Sequence, residues 1–268
     1  MELFYRKYGE GVPIIIVHGL YGASDNWVTI GRRLAEGFEV FIIDQRNHGR
    51  SPHSKSHNYQ AMVGDLYEFL VKHNIDKAIL LGHSMGGKTV MYFACQYPEK
   101  VNGLIVLDIA PKSYLQLSKK DISEISHYNI LKAMKNVDFS IIQSREDVDD
   151  QLGITIKSAK LRRFLLKSIH KDIDDFFHWR LNVDALYRNI DEILNGMDTD
   201  FFDSADLISG FPVLFIRGSN SKYILDEDLD RIETIFPYAE LKTIDNAGHW
   251  LHAEQPQGLV SLIVDFLT

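Results

Sequence analysis

Short apolar runs recur along the chain, and longer segments with a different periodicity separate them. Six runs are about four residues long and are bounded by turn-forming residues: residues 14–17, 40–43, 78–81, 104–107, 213–216 and the alternating 241–244. Runs of this length predict β-strands, and their continuous apolar content is typical of parallel sheets covered on both faces.

Amphipathic helices are predicted between these strands. Apolar residues at helical spacing occur in residues 27–34, 59–70 and 259–266, and Pro256 stands near the first turn of the last of these helices. Strands that alternate with helices predict an α/β fold, a mostly parallel, doubly wound sheet.

The alternation stops after Pro111. Residues 112–208 contain no proline and only two glycines, so we expect this segment to be mostly helical. Residues 161–169 and 181–194 have apolar positions at helical spacing. We therefore predict a helical cap, residues 111–208, inserted into a core domain formed by residues 1–110 and 209–268.

Composition narrows the class of protein. The 268 residues include 29 basic and 37 acidic side chains, a formal net charge of −8, which disfavours a general nucleic-acid binder. No apolar run approaches the ~18 residues of a membrane span. With a single cysteine, Cys95, no intramolecular disulfide can form, and the first residues have no signal-peptide layout, so we expect a cytoplasmic protein.

The strongest chemical signal is Gly82-His83-Ser84-Met85-Gly86-Gly87, directly after a predicted strand and before a predicted helix. In a G-x-S-x-G elbow the serine occupies a sharp strand-to-helix turn that exposes its hydroxyl. The flanking glycines are needed because strand and helix approach too closely for a Cβ atom. We predict Ser84 as a nucleophile.

A second signal is His18-Gly19-Leu20-Tyr21-Gly22, which follows the first predicted strand. Acyl transfer requires two backbone N–H donors, positioned in advance, for the oxyanion. In this type of fold one donor is the residue after the serine, here Met85, and the loop after an earlier strand supplies the other, here Leu20. His18 is expected to brace this loop.

His249 is the predicted base among 11 histidines, because it lies between the last strand and the last helix, at the sheet edge that carries the serine. His252 is expected in an exposed helical turn. For the acid, the segment after the penultimate strand offers no carboxylate before Asp226 and Asp228, whereas Asp108 ends the preceding strand. Asp108 can reach the histidine because neighbouring strands are about 4.8 Å apart; its alternative role is a strand-end cap.

Together these motifs resemble the small α/β-hydrolase esterases of the YbfF type, over essentially the whole chain. The residues that carry the resemblance are His18 to Gly22, Asp44 to Ser51, Gly82 to Gly87, Leu107 to Pro111, Phe215 to Ser221 and Ala247 to His249. The resemblance implies that Asp108 is the acid and that Ser221 supports the triad. It also implies hydrolysis of short carboxylic esters and acyl-CoA thioesters.

The predicted activity is a serine hydrolase that cleaves esters or acyl-CoA thioesters of small molecules through an acyl-enzyme intermediate. Other serine-dependent reactions of the fold, C–C hydrolysis or perhydrolysis, remain open, as does a ligand receptor without turnover. Histidines and carboxylates do not cluster at ligand spacing, so neither a metal nor another cofactor is expected.

Two further features concern the cap. Tyr114, at its start, is predicted either to line the substrate pocket or to pack in the interior. Residues 157–171 contain six basic residues and no acid. If these residues formed one helix, Lys160, Lys167 and Lys171 would lie on one face of it. That face would either contact the phosphates of CoA or face solvent.

Overall fold

A seven-stranded sheet forms the centre of the computed structural model, which describes residues 1–115, 126–196, 208 and 210–268. Its strand order is β1-β3-β2-β4-β5-β8-β9, and only β1 runs antiparallel to its neighbour. The strands of the described residues are β1 (Tyr5–Tyr8), β2 (Val12–Val17), β3 (Phe38–Ile43), β4 (Ala78–His83), β5 (Val101–Leu107), β6 (Ile169–Lys171), β7 (Phe177–Trp179), β8 (Val213–Gly218) and β9 (Ala239–Ile244).

Helices connect these strands. In the described ranges the α-helices are α1 (Val28–Leu34), α2 (Tyr59–Lys72), α3 (Met85–Gln96), α4 (His127–Lys135), α5 (Arg145–Gly153), α6 (Ala159–Leu165), α7 (Val183–Asn195), α8 (Leu229–Ile235), α9 (Leu251–Glu254) and α10 (Pro256–Leu267). Short 3-10 helices lie at Ser24–Trp27, Pro98–Lys100, Leu166–Ser168 and Asp226–Asp228.

Both faces of the sheet are covered, as the continuous apolar runs predict. Alternate residues of β2 point to opposite faces, so Ile15 and Val17 pack with α2 and α3 while Ile14 and Ile16 pack with α1 and α10. All four side chains are fully buried, and burial of one such side chain stabilises the fold by about 1.5–3 kcal/mol. The predicted α/β class is confirmed. The six predicted strands form, and β1 joins them at the edge without an apolar run of its own.

The segment between β5 and β8, predicted to be mostly helical, combines helices with two strands in its described residues. It contains α4 to α7, but also the antiparallel hairpin of β6 and β7. Residues 116–125 and 197–207 of the predicted cap, and residue 209 where the core was predicted to resume, lie outside the described residues. The division into core and cap stays a prediction.

The prediction of one basic helix through residues 157–171 is wrong. Helix α6 ends at Leu165, and Lys171 lies on β6, which pairs with β7. The chain turns because the Asp172 carboxylate accepts hydrogen bonds from the backbone N–H groups of Asp174 (2.9 Å) and Phe176 (3.0 Å). Lys160, Lys167 and Lys171 therefore share no helix face.

The parallel strands end at one edge of the sheet, and their carboxyl ends determine where the candidate residues lie. Leu20, Ser84 and Asp108 follow β2, β4 and β5, while Ser221 and His249 follow β8 and β9. In open α/β sheets this edge, beyond the carboxyl ends of the strands, is where ligands bind.

Candidate active site

Ser84 occupies the sharp turn between β4 and α3 that the glycine pattern predicts. Its backbone has φ 53° and ψ −119°, a strained conformation of the kind that costs about 1–3 kcal/mol and persists only where the surroundings enforce it. The Ser84 N–H donates to the Leu107 carbonyl at 3.0 Å. A Cβ atom at Gly82 would overlap the carbonyl oxygen of Gly86, so this close approach of strand and helix requires glycine.

Ser84, His249 and Asp108 form one chain of hydrogen bonds. His249 Nε2 lies 3.0 Å from Ser84 Oγ, and His249 Nδ1 lies 2.7 Å from Asp108 Oδ2. A carboxylate only accepts hydrogen bonds, so Nδ1 carries the ring proton and Nε2 presents its lone pair to the serine hydroxyl. The Asp108 side chain is fully buried, whereas Ser84 is partly exposed. This arrangement can activate a serine hydroxyl.

Three further contacts hold Asp108 in this position. Its own N–H donates to the Ile216 carbonyl at 2.8 Å, the Gly218 N–H donates to Oδ1 at 3.2 Å, and the Ser221 hydroxyl donates to Oδ2. Ser221 therefore hydrogen-bonds the carboxylate, at the same oxygen as His249 Nδ1.

The alternative acids lie elsewhere. Asp226 pairs with Arg217 at 2.7 Å with 83% of its side chain exposed, and Asp228 pairs with Lys112 at 2.7 Å. The structure thus brings Asp108, and neither of these two carboxylates, to the histidine.

The loop that carries Leu20 lies directly against the nucleophile. A Cβ atom at Gly19 would be 3.0 Å from Ser84 Cβ. Within the described residues, the backbone N–H groups of Leu20 and Met85 donate no hydrogen bond. Met85 is also the first residue of α3, where the helix dipole favours negative charge. Two unused donors beside the serine are what an oxyanion hole requires.

Two more histidines pack behind the triad. His83 Nε2 donates to the His249 carbonyl at 2.7 Å, and burial, with a smaller contribution from His249, lowers its pKa well below the usual value. His252 is buried, not exposed as expected, because its ring stacks on Trp27 with centroids 4.3 Å apart. Burial lowers the pKa of His252 to about 3, so it is neutral near pH 7.

Sequence reasoning missed Tyr223, whose ring stacks on His249 with centroids 3.8 Å apart and an angle of 17° between the planes. Tyr114 lies behind it: its hydroxyl donates to the Tyr223 carbonyl at 2.5 Å and accepts from the Ala110 N–H at 2.9 Å. The lining of a pocket by Tyr114 stays a prediction. The only sequence signal for Tyr223 was its position two residues after Ser221.

The described ranges hold neither a metal-binding cluster nor a membrane-spanning helix. No group of three or more histidine, cysteine, aspartate or glutamate side chains is arranged there to hold a metal ion. None of the helices in those ranges combines the length and apolar character needed to cross a bilayer.

Comparisons with known proteins show the family of the chain. A family model described as the alpha/beta hydrolase fold matches residues 12–128. The sn-1-specific diacylglycerol lipase ABHD11 of Xenopus laevis is 36% identical over 276 residues, which cover 100% of this chain and 84% of the relative. Esterase YbfF of Escherichia coli K12 is 34% identical, over 95% of this chain and 92% of the relative. A solved structure, a marine microorganism esterase, is 43% identical with a TM-score of 0.91 and covers 99% of both chains.

The chain therefore belongs to the α/β-hydrolase family. Within that family it is an enzyme that hydrolyses ester bonds. The resemblance to YbfF-type esterases inferred from the motifs is confirmed.

Proposed function

We propose that the chain hydrolyses carboxylic esters of small molecules through an acyl-enzyme on Ser84, with His249 as general base and Asp108 as the acid that orients it. The observation that carries this proposal is the unbroken chain of hydrogen bonds from Asp108 through His249 to Ser84.

In this mechanism Ser84 Oγ attacks the acyl carbon while its proton passes to His249 Nε2. The Leu20 and Met85 N–H groups receive the charge that develops on the carbonyl oxygen. His249 then gives the proton to the departing alcohol, and the acyl group stays on Ser84. Water then attacks the acyl carbon of the acyl-enzyme and gives its proton to His249. His249 returns this proton to Ser84 Oγ as the carboxylic acid leaves.

The test is replacement of Ser84 by alanine. We expect Ser84→Ala to fold but to lose both labelling by a fluorophosphonate probe and turnover of a p-nitrophenyl ester, because the Ser84 hydroxyl is the group that attacks in this mechanism. The Cys95 thiol offers no substitute, since burial raises its pKa to about 12. Labelling of another serine would overturn the assignment. In the wild-type protein, labelling of Ser84 without steady release of p-nitrophenol would favour a ligand receptor without turnover.

We propose acyl-CoA thioesters as a second substrate class. The supporting observation is a pocket between the loop of residues 18–22, here called the oxyanion loop, and the predicted cap. Its lining includes the cations Arg50, Lys167 and Arg180 and two carboxylates, Asp25 and Asp44. Asp25 pairs with Arg6, and Asp44 accepts from the backbone N–H groups of Ser24 and Arg50. Among the described side chains, none of these three cations has a carboxylate partner within ion-pair distance. Unpaired cations at one pocket suit the phosphates of CoA.

Charge reversal tests this substrate class. In the double variant Lys167→Glu/Arg180→Glu we expect KM for acetyl-CoA to rise about tenfold, with KM for p-nitrophenyl acetate unchanged, because only the former carries phosphates. Lys171→Glu is the matched control, since Lys171 already pairs with Asp175 at 2.8 Å. Equal effects on both substrates would reject the proposal.

We further propose that residues 111–208 act as a cap over the site. Two contacts support this role: the Tyr21 hydroxyl lies 3.1 Å from His127 Nδ1, and the Asn182 N–H donates to the Asn47 carbonyl at 3.0 Å. Because Tyr21 adjoins Leu20, we expect His127→Ala to alter kcat/KM unequally for short and long acyl chains. Equal changes across a p-nitrophenyl ester series would contradict this role.

We infer a cytoplasmic location from cysteine usage. The chain has one cysteine, and proteins of oxidising compartments commonly rely on disulfides. Cell fractionation of the tagged full chain tests this inference, and recovery in a secreted or membrane fraction would overturn it.

A further inference from the structure

Two buried imidazoles outside the triad connect the oxyanion loop to a neighbouring turn. His18 begins the loop that carries Leu20, and His48 lies in the turn after β3. Both rings are fully buried and their centroids are 5.1 Å apart. Neither residue is needed in the proton transfers of the proposed mechanism, so their burial and pairing call for another role.

Each ring donates through Nδ1 and accepts through Nε2. His18 Nδ1 lies 2.8 Å from the Gly19 carbonyl oxygen, and His48 Nδ1 lies 2.9 Å from the Arg46 carbonyl oxygen. A carbonyl oxygen only accepts, so both rings carry the proton on Nδ1. The lone pair of His18 Nε2 then accepts from the Gln45 N–H at 3.0 Å, and His48 Nε2 accepts from the Tyr21 N–H at 3.3 Å.

The two bonds are reciprocal. His18 belongs to the oxyanion loop and accepts a backbone N–H from the turn, while His48 belongs to the turn and accepts a backbone N–H from the oxyanion loop. Burial lowers the pKa of both imidazoles, which keeps them neutral and keeps the Nε2 lone pairs available near pH 7.

Gln45 extends this network to the second oxyanion donor. Its Nε2 donates to the His18 carbonyl at 2.7 Å. Its Oε1 lies 3.2 Å from the Thr89 hydroxyl of α3, and this hydroxyl shares its one proton between Gln45 and the Met85 carbonyl, which is 3.1 Å away. Helix α3 begins at Met85. The segments that supply the Leu20 and Met85 N–H groups are thus joined through one set of buried hydrogen bonds.

We propose that His18 and His48 are positioning residues for the oxyanion hole: by exchanging backbone hydrogen bonds they hold the Leu20 N–H at a set distance from the Met85 N–H. This inference rests on the proposed function, since it assigns a purpose to donors that the acyl-transfer mechanism requires. Loss of one oxyanion donor costs about 10²–10³ in kcat, so a misplaced donor has a measurable effect.

The experiment compares three replacements of His48. His48→Gln can place an amide oxygen near the position of Nε2, His48→Asn is too short to do so, and His48→Phe keeps the ring but has no acceptor. We expect kcat to fall about tenfold or more in His48→Asn and His48→Phe with KM little changed, and to stay within a fewfold of wild type in His48→Gln.

His57→Phe is the matched control. His57 is fully buried and its ring lies 5.3 Å from that of His48, but within the described residues both of its ring nitrogens lack hydrogen-bond partners. It therefore shares the packing of His48 without its link to the loop, and we expect wild-type kcat. A loss of kcat in His57→Phe equal to that in His48→Phe would assign the effect to packing and overturn the proposal.

A transition-state analogue separates positioning from general damage. The affinity for a trifluoromethyl ketone, whose adduct with Ser84 places an oxyanion in the hole, should fall in parallel with kcat in His48→Asn and His48→Phe. If His48→Phe does not fold, the comparison of His48→Gln with His48→Asn is the test. Equal kcat in these two variants would overturn the proposal. Activity retained in Ser84→Ala would instead overturn the proposed function itself.

Discussion

At the end of β5, Asp108 adopts a backbone φ of 51°, in the left-handed region. Aspartate is one of the few residues other than glycine that tolerates this region. The conformation lets its N–H continue the sheet by bonding the Ile216 carbonyl while its side chain turns toward His249. Its two oxygens accept from the Gly218 N–H, the Ser221 hydroxyl and His249.

Replacement of Asp108 by its amide tests this role. Asp108→Asn should lower kcat at least about 100-fold, because an amide facing Nδ1 favours the wrong histidine tautomer. Steady-state kinetics on a p-nitrophenyl ester measure the loss, with Asp226→Asn as the surface control. If Asp226→Asn loses kcat while Asp108→Asn retains it, the acid of the triad lies after β8.

Ser221 should matter less. Ser221→Ala removes one of the hydrogen bonds to the carboxylate but leaves those from Gly218 and His249. One such bond is worth about 1 kcal/mol, so we expect a severalfold fall in kcat with unchanged KM. A loss as large as that of Asp108→Asn would show that the hydroxyl acts in the reaction itself.

Tyr223 restrains the catalytic ring from its face. Aromatic pairs contribute about 0.5–1.5 kcal/mol beyond buried area, so Tyr223→Leu should lower kcat about two- to tenfold. Tyr223→Phe keeps the stacked ring and should remain close to wild type. If both variants lose activity equally, the phenol hydroxyl and not the stacking is responsible.

At the scale of elements, helix α3 can begin close to the sheet only because Gly86, in its first turn, has no side chain. A Cβ atom at Gly86 would overlap the carbonyl oxygens of Val17 and His18 at the end of β2. The elbow glycine therefore sets the distance between the helix that starts at Met85 and the loop that carries Leu20.

Two helix glycines should respond to alanine with opposite signs. Gly86→Ala should destabilise the fold by about 1–3 kcal/mol, because backbone atoms must move to admit the methyl group. At Gly64 in α2 an added Cβ meets nothing within 4 Å, so Gly64→Ala should stabilise the helix by about 0.5–1 kcal/mol. Urea unfolding measures both, and a stabilised Gly86→Ala would contradict the described packing.

At the scale of the whole molecule, Lys88 links helix α3 to the end of α7. The side chain is 2% exposed, and its Nζ donates to the Gly196 carbonyl at 2.6 Å. The same Nζ lies 4.8 Å from the centre of the Tyr114 ring. Burial lowers the pKa of Lys88 to about 7, well below the ordinary value of about 10.4.

Lys88 should make stability rise with pH. Between the folded and unfolded pKa values the unfolded chain binds more protons, so the free energy of unfolding contributed by Lys88 increases from about pH 7 toward about pH 10. Urea midpoints at about pH 7 and about pH 9.5 should therefore differ by less in Lys88→Met than in the wild type. Lys72→Met, at the surface, is the control, and an unchanged pH difference in Lys88→Met would contradict the lowered pKa.

The fold class could be predicted from the sequence, and so could the position of Ser84, Asp108 and His249 at one edge of the sheet. Both predictions depend on apolar periodicity and turn residues, which are local signals. Sequence reasoning missed β1, whose edge strand carries no apolar run, and the β6–β7 hairpin, whose turn depends on the Asp172 side chain. A helical pattern from Leu161 to Ile169 was compatible with a helix that instead ends at Leu165.

By itself, the sequence determined the six apolar strands, the helices between them and the serine elbow, since each depends on residues a few positions apart. Tertiary structure decided what depends on distant residues meeting: which carboxylate reaches His249, which ring stacks on it, and how His18 and His48 exchange hydrogen bonds. Those pairings join residues that are 26 to 141 positions apart in the chain. Only the packed sheet brings such loops together, because no local preference encodes the distance between the carboxyl ends of its strands.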